Sequence, residues 1–444
     1  MFSVLFKLKW FFKDHWKRYT VAVGVLIIAS AFEIFPPWLV GRAIDTITLG
    51  NMNSDLLMEY VLYFVGIIVV GYILNFIWQY QLFGGSISIE RILRTKLNRK
   101  FLSMTPTFYE KNRTGDLMAR ATNDLNAVAT TAGFGIMTLI DSTMYMLALI
   151  LAMGFLISWK LTFFALLPIP VLAIIMQYLG KIIHEKYMVA QDAFGDLNDR
   201  VLESIAGVRV IRAYVQERAD EKNFADMSEE VYQKNMVVER IDALFGPITK
   251  IGTGISYVVA LGYGAFLVSK GEMTVGNLIT FNVYLGMAIW PMFAIGELIN
   301  VMQRGNASLD RVQETLEYDA DVKDPTAPVN LKDVMSIGFD DVGFQYPLSQ
   351  VKNLENIRVN LQKGQTLGIV GKTGSGKTTF IKQLLKEYPI GAGQLTIGDI
   401  PISEQTKDQV LEWIGYVPQD HVLFSRTIRQ NILLGKENAT EEEL

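Results

Sequence analysis

Long apolar stretches alternate with strongly charged ones over the first two-thirds of the chain. Apolar runs fall at residues 19–40, 58–83, 134–159, 161–183, 251–268 and 275–301. Each is close to or above the roughly 20 residues that a helix needs to cross a bilayer. One such run also suits a buried helix of a soluble protein; six in succession predict a polytopic α-helical membrane domain. Basic residues alternate between the connecting segments. Residues 1–18 carry Lys7, Lys9, Lys13, Lys17 and Arg18, residues 84–133 carry eight Lys or Arg, and residues 184–250 carry nine. Residues 46–59 carry none, and the links at Lys160 and at 269–274 carry one each. Cytosolic segments accumulate Lys and Arg, so the pattern predicts a multi-pass protein of the cell membrane with both termini cytosolic and three short external turns. Residues 1–17 mix lysines with Phe2, Leu5, Phe6, Trp10, Phe11 and Trp16, as suits a helix lying in the membrane interface.

The two long polar segments exceed what a loop requires. Residues 85–104 lack proline and predict a helix continuing from the second span; Pro106 ends it, and a turn is expected over residues 108–116. The second segment contains Glu203-Ser204-Ile205-Ala206-Gly207-Val208-Arg209-Val210-Ile211-Arg212-Ala213-Tyr214. Projecting helices of this kind suit either a mechanical link to a cytosolic domain or plain connection. Pro36-Pro37, Pro168, Pro170, Pro247 and Pro291 are expected to kink their spans. Residues 305–334 are polar, contain Pro325 and Pro328, and read as a linker between a membrane domain at 1–304 and a cytosolic domain at 335–444.

The pattern then changes to short strand-like runs at 336–339, 343–346 and 393–397, with a turn at Gly398-Asp399. Gln365-Thr366-Leu367-Gly368-Ile369-Val370 reads as a buried strand and residues 378–385 as a helix. Between them lies Gly371-Lys372-Thr373-Gly374-Ser375-Gly376-Lys377-Thr378, a complete G-x-x-x-x-G-K-[ST] phosphate-binding loop. Its glycines allow successive N–H groups to converge on phosphate oxygens at a helix N-terminus. Lys377 would reach the β- and γ-phosphates, and the Thr378 hydroxyl would ligate Mg²⁺. Tyr346, just before Pro347, is placed to stack on adenine. The fold class is therefore mixed: a six-helix membrane domain followed by an α/β P-loop nucleotide-binding domain. Joined in one chain, the two imply nucleotide-driven transport.

Composition removes other classes. With no cysteines and three scattered histidines, His15, His184 and His421, there is no thiol chemistry and no zinc site. The net charge of −4 does not suggest nucleic acid as a partner.

Taken together the motifs resemble the ABC transporter family over essentially the whole chain. Phe344-Gln345-Tyr346-Pro347 is similar to its adenine-stacking loop, Gly371–Thr378 to its Walker A, and Tyr416-Val417-Pro418-Gln419-Asp420 to its Q-loop. Leu423-Phe424-Ser425 and Thr427-Ile428-Arg429-Gln430-Asn431-Ile432 resemble the stretch that follows. Gly115-Asp116-Leu117 and Gly207–Tyr214 resemble the two coupling segments of six-span exporters. The resemblance implies ATP and Mg²⁺ as cofactors. Tyr346 would stack on adenine, and Gly371, Thr373, Gly374, Ser375, Gly376, Lys377, Thr378 and Thr379 would hold phosphates and metal. Gln419 would contact Mg²⁺ and the attacking water, and would couple the site to the coupling segments. The closest kind is the shorter subunit of a heterodimeric bacterial multidrug exporter, so the expected partner is a second half-transporter, with a homodimer as the alternative. Nothing matches the LSGGQ signature, the Walker B carboxylates or the switch histidine, and the sequence stops at Glu441-Glu442-Glu443-Leu444. The chain as written is therefore expected to be truncated and not to hydrolyse ATP by itself.

Substrate class is less constrained. Carboxylates within spans are costly, which singles out Glu33, Asp141 and Glu297. With Trp290, and with Tyr284, Met287, Met292 and Phe293 beside it, they would form an acidic, aromatic cavity for hydrophobic or cationic drug-like compounds. Helix packing accounts for the same residues. The alternatives are a lipid flippase or peptide exporter on this scaffold, or an ATP-gated channel or regulatory subunit.

Overall fold

The computed structural model describes residues 2–329, 333–419, 422–436 and 439–443. It divides into two compact units, one of Met1–Arg94 with Asn123–Arg311 and one of Thr95–Thr122 with Val312–Leu444.

Among the described residues, five helical runs, each lying largely in the first unit, are long and apolar enough to cross a membrane: Trp16–Thr48, Ser54–Ser103, Thr114–Ala206, Glu217–Ser269 and Val275–Glu317. The third accommodates two of the six predicted passes. It is interrupted at Ser158, whose backbone is extended (φ −165°, ψ 122°) and whose hydroxyl accepts the Leu161 N–H at 3.4 Å. Capping of this kind relieves an orphaned amide where the helix restarts. Prolines mark most of the other breaks. Pro36 and Pro37 open helix Phe35–Thr48 after a break at Glu33 and Ile34, and Pro168 opens Pro168–Ala206. Pro291 follows the break at Ala288 that starts Ile289–Glu317. Pro247, expected to kink its span, lies inside the 53-residue helix Glu217–Ser269 without dividing it. One lost hydrogen bond there leaves the turns on both sides intact. Two further expectations are corrected. Residues 108–116 are not a turn but lie mostly in the short helices Pro106–Lys111 and Thr114–Ala119. The polar stretch from residue 305 is helical as far as Glu317.

Tyr145, Leu149, Met153, Leu161, Phe281 and Tyr284 belong to the buried core of this unit, whereas Tyr72, Phe155 and Val258 are exposed. Apolar faces turned outward are what a lipid environment requires. Helices Phe35–Thr48 and Val275–Met287 approach closely at two glycines. A Cβ on Gly276 would lie 1.9 Å from the Gly41 carbonyl oxygen, and one on Gly41 would lie 2.0 Å from Thr280 Oγ1. Small residues let backbones meet this way in membranes, where packing rather than hydrophobic burial drives association. Asp45 secures the crossing by accepting the Gly276 N–H and the Thr274 hydroxyl, each at 2.7 Å.

The second unit holds a four-stranded antiparallel sheet in the order β2-β1-β3-β4, with β1 Ser336–Phe344, β2 Leu354–Gln362, β3 Ala392–Ile397 and β4 Ile400–Pro401. Phe339 pairs with Val359 on one side and Leu395 on the other, and the ladder bulges between Phe339 and Val342. The β3–β4 turn uses Gly398 and Asp399, both at positive φ, as a two-residue hairpin of primed type demands. Helix Lys377–Leu384 packs on this sheet through Phe380, stacked 4.2 Å from Phe339. Residues 365–370 do not form the expected strand. They join no ladder among the described residues, and Leu367, Ile369 and Val370 are exposed. An apolar run becomes a strand only where a neighbouring strand takes up its N–H and C=O groups.

The glycine crossing gives a direct test. Gly276→Val should lower the thermal unfolding midpoint in detergent by several degrees, since overpacking a close contact costs on the order of 1–3 kcal/mol. Gly71→Ala, whose new Cβ meets nothing within 4 Å, should leave the midpoint unchanged.

Candidate nucleotide site

The phosphate loop is built on two glycines in left-handed conformation. Gly374 has φ 83° and Gly376 φ 88°, a region that costs other residues strain. Gly376 is doubly constrained, because a Cβ there would lie 2.6 Å from the Asn353 carbonyl oxygen. It forms the N-cap of helix Lys377–Leu384 and offers no side-chain cap, so the first-turn amides face the loop uncapped. Lys377 Nζ donates to the carbonyls of Gly371 (3.0 Å) and Lys372 (2.9 Å) and spans the loop from within. Gly371, Thr373, Gly374, Ser375 and Thr378 are exposed along its rim, whereas Thr379 is buried. Left-handed glycines, uncapped amides and an ammonium held across the loop fit a polyphosphate. The donor set for a cation is thinner: the Thr378 hydroxyl is exposed, and no group of three or more His, Cys, Asp or Glu gathers among the described residues.

Tyr346 is half-buried in an aromatic cluster. Its ring meets Phe344 edge-on at 4.9 Å and Tyr388 at 5.1 Å, and its hydroxyl lies 3.1 Å from Thr379 Oγ1. The proposed adenine platform is thereby tied to the helix that leaves the phosphate loop. Lys382 Nζ sits 5.9 Å from the Tyr346 ring centre and 5.8 Å from that of Tyr388, within reach of a cation–π attraction.

Tyr388 was not among the sequence candidates, yet it carries the longest link in this unit. Its hydroxyl donates to Glu110 Oε1 at 2.6 Å, and Glu110 belongs to helix Pro106–Lys111. Burial, then the Glu110 bond, raises the Tyr388 ionisation well above the usual tyrosine value, so the hydroxyl remains a donor at physiological pH. The same short helices are fastened by Thr107, which donates to Asp321 at 2.6 Å, and by Phe108, whose ring lies 4.9 Å from Tyr318. A spacing of 278 residues between Tyr388 and Glu110 leaves no local sequence signal. Gln419 is exposed at the end of an unladdered run, and its neighbours Asp420 and His421 fall outside the described residues.

Among the membrane candidates, Glu33 and Asp141 come together, both interacting with Tyr145. Glu297 stands apart, 4.0 Å from Arg304, and Trp290 is exposed. Tyr284 is fully buried and donates to the Ile34 carbonyl at 2.7 Å, so it packs the core and does not line a cavity.

A phosphate loop following a polytopic helical domain defines a class, the ATP-binding membrane transporters. The chain matches the ABC transporter transmembrane region over residues 19–292 and the ABC transporter family over residues 354–444; it belongs to the ABC transporters, as an ATP-hydrolysing half-transporter of the exporter kind. It is similar to a probable multidrug resistance ABC transporter ATP-binding/permease protein, YheI, of Bacillus subtilis, at 58% identity over all of this chain and 76% of the relative. The multidrug resistance-like ATP-binding protein MdlA of Escherichia coli is 38% identical over 99% of this chain and 74% of its own length. An ATP-dependent lipid A-core flippase of Syntrophus aciditrophicus is 28% identical over 97% of this chain and 71% of its own length.

Two substitutions probe this site. Lys377→Ala should weaken binding of a fluorescent ATP analogue about tenfold or more, as loss of charge-assisted hydrogen bonds implies, with helical content unchanged by circular dichroism. Tyr388→Phe should leave that affinity within about twofold while reducing drug stimulation of ATPase activity; unchanged stimulation would show that the Glu110 bond is structural only.

Proposed function

We propose that this chain is one half of an ATP-driven exporter of hydrophobic, cationic compounds. It would lie in the cell membrane with both termini cytosolic, and pair with a second half-transporter, of different sequence, across two shared ATP sites. The observation that carries the reading is the bond from Tyr388 to Glu110. Within one compact unit it joins the neighbourhood of the phosphate loop to a short helix in the connection between two apolar spans. ATP, with Mg²⁺ on Thr378 and Gln419, would supply the free energy that distinguishes one conformation from the other, and only by binding one more tightly. The chain's own groups do the rest: the loop amides and Lys377 hold phosphate, Tyr346 holds the base, and Tyr388 passes its position to Glu110.

Substrate class follows from the meeting of Glu33 and Asp141 near Tyr145. Two carboxyls and an aromatic ring within apolar spans suit a lipophilic cation, in keeping with the multidrug names of YheI and MdlA. The flippase among the relatives keeps lipid translocation as a second reading. Asp141→Asn should abolish efflux of a cationic dye from vesicles, reduce that of a neutral drug less than threefold, and leave basal ATPase activity intact. Equal loss for both compounds would reject the cation site, and translocation of a labelled lipid without dye efflux would favour the flippase.

Orientation and assembly have separate tests. Cysteine placed at Asn51 or Gly271 should react with an impermeant thiol reagent in intact cells, and cysteine at Asn112 or Ala213 should not; the chain's lack of cysteine makes the background clean. Co-expression with the partner half-transporter should raise drug-stimulated ATPase activity well above that of the subunit alone, whereas equal activity alone would identify a homodimer.

A further inference from the structure

An open apolar groove runs beside the amino-terminal helices Ser3–Lys7 and Lys9–Asp14, walled by Leu5, Phe12, Trp16, Val23, Leu139 and Ile140. The five basic residues of positions 1–18 divide into two sets. Lys7 donates to Asn306 at 3.0 Å and is ion-paired with Asp310, while Arg18 donates to the carbonyls of Gln81 (2.8 Å) and Tyr80 (3.2 Å). Those two fasten the amino-terminal segment to the rest of its unit. Lys9, Lys13 and Lys17 are exposed and make no hydrogen bond or ion pair among the described residues. At about 100° per residue, Leu5, Lys9, Phe12, Lys13 and Trp16 share one face of the segment, and Asp14 falls on the opposite one.

From this arrangement we propose that the groove is a binding site for an anionic phospholipid of the surrounding bilayer. One acyl chain lies along Leu5, Phe12, Trp16 and Leu139, and the headgroup phosphate is held by Lys9 and Lys13, with Lys17 beyond the edge of that face adding to the positive field. The apolar wall alone accepts any acyl chain. The unpaired ammonium groups on its own face set the class, because a Lys close to an anionic headgroup contributes favourably and a zwitterionic one offers it no net charge. Trp16, exposed at the rim, is of the type that settles at the headgroup level. The site does not depend on the transport reading and can be tested without activity.

Protein reconstituted in vesicles containing brominated phosphatidylglycerol or brominated phosphatidylcholine supplies the test, with quenching of Trp16 as the readout. The chain has seven tryptophans, so the Trp16 component is the difference between the wild type and Trp16→Phe. Half-quenching by phosphatidylglycerol is expected at a several-fold lower mole fraction than by phosphatidylcholine. Lys9→Gln alone should narrow that gap about twofold, and Lys9→Gln/Lys13→Gln/Lys17→Gln should close it. Salt at about 0.5 M should weaken the preference in the wild type. Equal quenching by the two lipids, or a preference that survives in both lysine variants, would overturn the proposal.

Discussion

A backbone inside a bilayer has no water to bond, so every interruption of a helix there has to be met by a protein group. That constraint explains where this membrane unit places its polar side chains. Beside the helix break at Glu33 and Ile34, Tyr284 donates its hydroxyl to the Ile34 carbonyl, and the Thr280 hydroxyl lies within bonding distance of the carbonyls of Pro37 (3.1 Å) and of its own Gly276 (2.9 Å). The restart after Ser158 is capped by that serine's own hydroxyl. Gly276 gives its N–H to Asp45. The helix Val275–Met287 therefore packs against Phe35–Thr48 through the paired glycines and also sets two hydroxyls beside the proline break.

The second unit works under a different constraint. Its phosphate loop needs a stiff base, and the base is aromatic. Phe339 stacks under Phe380 on the loop helix, while Tyr346 meets both Phe344 and Tyr388 edge-on and those two rings are tilted against each other. Tyr346 and Tyr388 each spend their hydroxyl outside that cluster, on Thr379 and Glu110 respectively. A shift of the Tyr346 ring would press on Tyr388 and so on Glu110, since packed rings have few alternative arrangements. The arrangement is a contiguous contact path, and its energetic coupling is a matter for paired substitutions.

What was legible in the sequence followed the range of the interaction. The phosphate loop could be read because its chemistry is local: glycines at Gly374 and Gly376, then Lys377, then a helix. The apolar passes were readable because bilayer thickness acts on each run separately. The Ser158 break lay at the junction of two predicted spans, although nothing marked the serine as its cap. Residues 365–370 misled because an apolar run carries the hydrophobicity of a strand but not its partner. Tyr388 with Glu110 and Glu33 with Asp141 were invisible as pairs. Each depends on how distant segments fold together, and a single sequence records no such distance.

The amino-terminal segment shows how one stretch of charge can serve two ends. Ser3 and Lys7 both bond Asn306, and Lys7 also holds Asp310, so the segment is anchored on the helix Ile289–Glu317. Interleaved with these on the same stretch of helix, Arg311 and Ser308 grip the buried carboxylate of Asp124, with Arg311 Nε 2.9 Å from Asp124 Oδ2. One short stretch of a single helix thus holds two other segments of the unit by charge-assisted bonds, the stronger class of hydrogen bond. Lys9, Lys13 and Lys17 lie outside this network, and an exposed cation that stabilises nothing within the fold contributes only through what it meets in solution or membrane. In a protein whose neighbours are lipids, that division of the five basic residues is what allows the same short segment to be fixed on one face and responsive to its bilayer on the other.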